Sequence, residues 1–103
     1  MQKIQKRIDE INALVDRQTG GMTHTQYMLK IGEEYGELCE AVLAEEGKQR
    51  QVKLDTHDSR NVEKELADVI VTALVLARRM NFDLDTLINE KLDFVERRFN
   101  NKE

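Results

Sequence analysis

The run VEKELADVIVTALVLARRM, residues 62–80, decides the fold. It reads as one long helix, and residues 69 to 77 are apolar nearly all the way round. A helix apolar on every face is buried on every face. At 103 residues the chain fits one small domain, residues 1–103, short of the size at which a single core becomes comfortable. Such a chain cannot cover this helix alone, so part of it is expected in a subunit interface, in a dimer or a tetramer.

Outward from that run the composition leans to helix throughout, with no proline, few glycines and abundant Leu, Glu, Lys, Arg and Ala. Ile4, Ile8, Ile11, Leu14 and Val15 repeat at helical spacing and mark a first helix ending near Gly20-Gly21. A second helix starts after Thr23 or Thr25, carries Met28, Ile31, Tyr35, Leu38 and Val42 on one stripe, and stops at Gly47. Residues 47–60, GKQRQVKLDTHDSR, offer only Val52 and Leu54 for burial and read as a connecting loop, with Ser59 or Asn61 to cap the third helix. Beyond the quoted run, Asn81 suits a C-terminal cap. Asp83 or Asp85 then opens a fourth helix with Leu84, Leu87, Ile88, Leu92, Val95 and Phe99 inward. The expected fold class is all-α, a four-helix bundle completed by oligomerisation.

Sixteen Lys+Arg against twenty Asp+Glu leave a net charge of −4, which disfavours a nucleic-acid polymer as partner, since phosphate backbones need a basic face. The single cysteine, Cys39, excludes an intramolecular disulfide and reads as a small buried residue rather than a nucleophile. The N-terminal MQKIQKRIDE has no apolar targeting core, and no stretch reaches about 18 apolar residues without charge. A cytoplasmic protein without a membrane partner is expected.

The second helix poses a problem of charge. KIGEEYGELCEAV, residues 30–42, crowds Glu33, Glu34, Glu37 and Glu40 into two turns with Lys30 as its only cation. Like charges three or four positions apart on a helix repel by roughly 0.2–0.5 kcal/mol per pair. Two spacings stand out: Glu34 with Glu37, and Glu65 with Asp68 in the long helix. Positions i and i+3 share a face, so each pair presents two carboxylates side by side at the edge of an apolar surface. Packed antiparallel, the two helices would gather four carboxylates, the oxygen-donor set that a hard cation such as Mg²⁺ uses, often shared with substrate phosphates. Mn²⁺ is an acceptable substitute. The bland alternative is a solvated acidic face with Lys30, Lys64 or Arg78 supplying intermittent salt bridges. Glu33 and Glu40, seven residues apart, read as solvated.

GEEYGELCEAV followed by VEKELADVIVTALVLA resembles the MazG-like, all-α nucleoside triphosphate pyrophosphohydrolase superfamily, whose pattern is ExxE, a variable spacer, then ExxD. Here the spacer between Glu37 and Glu65 holds 27 residues, and the resemblance covers residues 25–99. It implies cleavage of a nucleoside triphosphate to monophosphate and pyrophosphate with Mg²⁺, with Glu34, Glu37, Glu65 and Asp68 as catalytic metal ligands. Glu37 or Glu33 could instead hold the attacking water as base.

A triphosphate also needs protein cations, and Lys91 and Arg98 share a face of helix four at i and i+7. Similar family members carry Lys, an Asn four later and an Arg seven later; here the Asn position is Val95, which removes one expected contact. Arg97 reads as a solvated residue near the helix end. For the base, Tyr27 and Met28 could pack on the ring and Gln18 or His24 could read its edge, although Tyr27 and Met28 suit the core better and a lone His24 in a Gly/Thr loop suits plain exposure better. By analogy dCTP or another deoxynucleotide is a first candidate, in nucleotide-pool house-cleaning. Two other readings stand beside it: a phosphoribosyl-ATP pyrophosphohydrolase, and a non-catalytic helical interaction module. A di-iron carboxylate bundle fails because neither His24 nor His57 lies three residues after a Glu.

Overall fold

The computed structural model describes residues 1–47 and 61–101. They form four helices, α1 (Gln2–Thr19), α2 (His24–Glu45), α3 (Asn61–Arg79) and α4 (Leu84–Asn100), with no strand among the described residues. The chain is all-α, as its composition and periodicity require. The expected loop, with Ser59 as a candidate cap, lies outside the described residues except for Gly47. No described helix is long and apolar enough to cross a membrane.

Local chemistry sets the helix ends. Gly20, at φ 80, closes α1 in the left-handed conformation that glycine adopts without a Cβ penalty, and its N–H donates to Asp16 O at 2.9 Å. Thr23 starts α2 with a reciprocal capping box: its hydroxyl accepts from Gln26 N at 3.1 Å, and Thr23 N donates to Gln26 Oε1 at 2.8 Å. Asn81, at φ 63, ends α3. Asn81 N donates to Arg78 O and Phe82 N to Ala77 O, both at 3.0 Å, the paired bonds of a Schellman stop. Asp83 caps α4 by accepting from Thr86 N at 3.0 Å and from the Thr86 hydroxyl at 2.9 Å.

The chain packs as two compact units, one of Met1–Gly21 with Leu74–Glu103, the other of Met22–Ala73. In the first, Ile8, Ala77 and Leu84 form a core with Leu74 and Val75 against it, and Leu84 is 0% exposed. Polar contacts fasten α1 around that core. The Arg78 guanidinium grips Asp9 with two parallel bonds, Nε to Oδ1 at 2.8 Å and Nη2 to Oδ2 at 2.9 Å. Arg79 donates to Asp16 Oδ1 at 2.7 Å and to Asn12 Oδ1 at 3.1 Å, and Leu84 N donates to Gln5 Oε1 at 2.8 Å. Of the expected α1 stripe only Ile8 is buried; Ile4, Ile11 and Leu14 remain exposed. On α4, likewise, Leu84 is buried while Leu87, Ile88, Leu92 and Phe99 are exposed.

The second unit corrects the reading of α2. Its buried residues are Tyr27, Glu34 and Ala41, a heptad series one position ahead of the expected stripe. Met28, Tyr35 and Val42 from that stripe are exposed, Tyr35 at 59%. One residue on a helix is a rotation of about 100°, so Ala41 and the buried Glu34 face inward beside the half-buried Ile31 and Leu38 of that stripe, while Met28, Tyr35 and Val42 point elsewhere. The long apolar helix is not buried on every face either. Ile70, at 50%, and Val71 are exposed, because one chain of this size has too little mass to surround it.

Candidate metal centre

Three of the four acids singled out in the sequence converge. Glu34 and Glu37 from α2 and Glu65 from α3 each offer a carboxylate oxygen, and these oxygens all lie within 4.8 Å of one another. The i, i+3 spacing puts the α2 pair on one face, and Glu65 meets it from the facing helix within the same unit. Asp68, one turn beyond Glu65, is exposed and outside that group; its carbonyl accepts the Thr72 hydroxyl at 2.6 Å.

The environments of the three acids differ. Glu34 is 8% exposed, a buried charge, and its Oε1 lies 3.3 Å from Lys30 Nζ. Glu65 is half-buried, and its Oε2 is shut away from solvent without a hydrogen-bond partner. Glu37 is exposed at the rim, yet the neighbouring Glu34 charge, then partial loss of solvent and the Glu65 carboxyl, hold its carboxyl above the ordinary range. Lys30 also approaches Glu33 Oε1, at 3.5 Å, so Glu33 serves as a second partner for this lysine.

This arrangement fits a divalent cation. A buried carboxylate oxygen without a donor is costly unless something positive completes it, and here three acids stand close together with Lys30 paired to one of them. Mg²⁺ bonds of 2.0–2.1 Å in an octahedron place ligand oxygens about 2.9 Å apart when adjacent and about 4.2 Å apart when opposite. The three oxygens are already gathered on nearly that scale. All donors are hard oxygen, the set suited to Mg²⁺ or Mn²⁺ and poor for soft metals.

The remaining candidates belong to both units. Lys91 and Arg98 are exposed on α4 in the first unit, with Lys91 Nζ 4.9 Å from the Phe94 ring centroid. Gln18 and His24 are exposed and belong to different units, whereas Tyr27 is buried, which suits its alternative assignment to the core. Arg78, offered as an intermittent partner for the acids, is instead committed to Asp9. In the sequence Lys30 reads as a lone cation in an acidic run; its i+4 distance from Glu34 is the available sign of their pairing.

The comparison with protein families agrees with the constellation. A family model, the MazG nucleotide pyrophosphohydrolase domain, matches residues 22–102, which takes in all three clustered acids and Asp68 and leaves out α1. Among curated proteins and among solved structures no significant match is found. With most of its length covered by that match, the chain belongs to the MazG nucleotide pyrophosphohydrolase domain family.

Proposed function

We propose that the protein is a Mg²⁺-dependent nucleoside triphosphate pyrophosphohydrolase, converting a (d)NTP and water to the (d)NMP and pyrophosphate. The observation that carries this reading is the meeting of Glu34, Glu37 and Glu65 around an oxygen with no partner, in a chain of this family. Those three acids would hold the ion, with Asp68 joining from the next turn of α3. When bound, Mg²⁺ supplies neutralisation of the triphosphate and acidification of a water, the two effects that dominate phosphoryl chemistry.

The chain's own residues provide the rest. Glu34 and Glu65, the less exposed pair, fix the donor geometry because packing limits their rotamers. In place of holding the ion, Glu37, which faces solvent with a carboxyl held above the ordinary range, is fitted to orient a water and accept its proton, a role that Glu33 could also serve. Lys91 and Arg98 supply cations for the triphosphate, and Gln18 or His24 contacts to the base. A deoxynucleotide such as dCTP is the first substrate to try, in cytoplasmic nucleotide-pool house-cleaning.

A second copy of the chain completes the assembly in this reading, as a dimer or tetramer. Met28, Leu29 and Tyr35 on α2 and Leu66, Ile70 and Val71 on α3 are exposed in one chain, far more apolar surface than a solvated helix face carries. Sedimentation of the purified protein tests that part.

The activity is tested with a panel of canonical and modified (d)NTPs and phosphoribosyl-ATP, assayed for pyrophosphate release with Mg²⁺, beside Glu37→Gln and Asp68→Asn. Release by the wild type that is lost in both variants supports the reading. Release from phosphoribosyl-ATP alone would move the substrate to that class. No release from any substrate would refute the enzyme.

A further inference from the structure

Lys30 occupies a place that the proposed reaction leaves unexplained. Its Nζ lies 3.3 Å from Glu34 Oε1 and 3.5 Å from Glu33 Oε1, so it makes its pair directly with an acid of the metal cluster. The two partners differ sharply in freedom. The Glu34 side chain is 11% exposed and held by its surroundings, while the Lys30 side chain is 44% exposed at the end of a flexible stem. Helix stability alone is a poor reason for the pair, because Lys four residues before Glu is the weaker of the two orders on a helix. A charge on Lys30 instead answers a local need: Glu34, Glu37 and Glu65 stand close together, and the Glu65 oxygen has no donor.

We infer that Lys30 is a positioning residue that acts as a stand-in cation, holding the Glu34 carboxylate in the metal-free protein and yielding it when a divalent ion arrives. The inference rests on the metal-centre reading of the three acids. In the metal-free state the ammonium offsets part of the repulsion among them. On loading, the same charge opposes the incoming ion and must retreat to solvent, which its exposure permits. Lys30 therefore weakens the site for free metal while stabilising the empty one, so the ion is held firmly only when a triphosphate adds its own negative charge.

The test is calorimetric titration of Mn²⁺ into the metal-free full chain, for wild type, Lys30→Gln, Lys30→Arg, Glu37→Gln and, as a control for net charge, Lys6→Gln on α1. Lys30→Gln is expected to bind Mn²⁺ roughly three- to tenfold more tightly, the scale of removing one charge a few ångströms away in a solvated setting. It should also melt at a lower temperature when metal-free. Lys30→Arg keeps the charge and should keep both wild-type values, and Lys6→Gln should leave the affinity unchanged. Unchanged or weaker binding by Lys30→Gln, or an equal gain in Lys6→Gln, overturns the inference, and if Glu37→Gln still abolishes binding the metal centre stands without it. Absence of Mn²⁺ binding by the wild type overturns both.

Discussion

Replacing Glu65 by Gln should make the protein more stable than the wild type without metal and less stable than the wild type with it. In the empty protein, Glu65 Oε2 is a buried carboxylate oxygen without a partner, close to two other carboxylates. An unsatisfied buried polar group costs about 1–3 kcal/mol, and because Glu65 is only half-buried the lower end applies, about 1 kcal/mol. The isosteric amide removes the charge and can donate to the neighbouring acids. Metal-free Glu65→Gln should therefore melt above the wild type, by about 4–8 °C for a domain of this size. Metal at a hundred times its dissociation constant stabilises the wild type by about 2.7 kcal/mol, or about 10–20 °C on the same conversion. The variant, short of one ligand, should gain little of this. Thermal melts in chelator and in excess Mn²⁺ should thus cross, with the variant higher in chelator and lower in Mn²⁺. A variant that is destabilised without metal, or that keeps the full metal-induced shift, would refute the assignment of Glu65.

Other parts of the molecule give further expected outcomes. Leu84→Ala, at the fully buried centre of the Ile8 and Ala77 cluster, should lose about 3 kcal/mol in urea denaturation, and a loss below about 1 kcal/mol would mean that this core is not cooperative with the rest. Asp9, through its hydrogen bond from Arg78, and Asp83, through the Thr86 backbone N–H, are both held below the usual carboxylate range. Depressed folded values give stability that is present above the unfolded value and lost as pH falls through the folded one, so acid unfolding is expected below about pH 4. Asp83→Asn keeps the cap but cannot titrate, and should lower stability at neutral pH while making the acid limb of a pH–melting profile shallower. For Glu37 the sign is opposite: its raised value means that metal-free stability declines as pH rises through it, and that protons compete with metal as pH falls through it. Mn²⁺ titrations across that range should show affinity falling on acidification in the wild type, with a weaker pH dependence in Glu37→Gln.

The parts of this fold that can be read in the sequence are those with local causes. Thr23 with Gln26, Asn81 after the long helix and Asp83 before the last are each recognisable because the bonds they make span only a few residues. The acids of α2 are legible for the same reason, by their spacing of three. On α2 two heptad series compete, Tyr27-Glu34-Ala41 and Met28-Tyr35-Val42, and hydrophobicity favours the second. Glu34 disqualifies the first series as ordinary core, yet that series is buried in the chain, and the acid that breaks the pattern belongs to the candidate site. Nothing local announces that Arg78 meets Asp9, 69 residues away, or that Arg79 meets Asp16, since charged residues at helix ends are as common in solvent as in pairs. The orphaned Glu65 oxygen is equally hidden, because the burial of one atom depends on how closely two helices approach.

The family match begins at Met22, but the side chains that close the first core do not. Ile8, Gln5, Asp9 and Asp16 all precede that border, and they seal Leu84 or receive Arg78 and Arg79, which lie beyond it. Kinship and foldability thus have different frontiers. A shortened chain started at the border of the shared domain would uncover Leu84 and strip the α3 arginines of Asp9 and Asp16. Its failure in an expression trial would speak to solubility and say nothing about the acids. Any transplant, fusion or minimised version of this family member should carry its leading helix along.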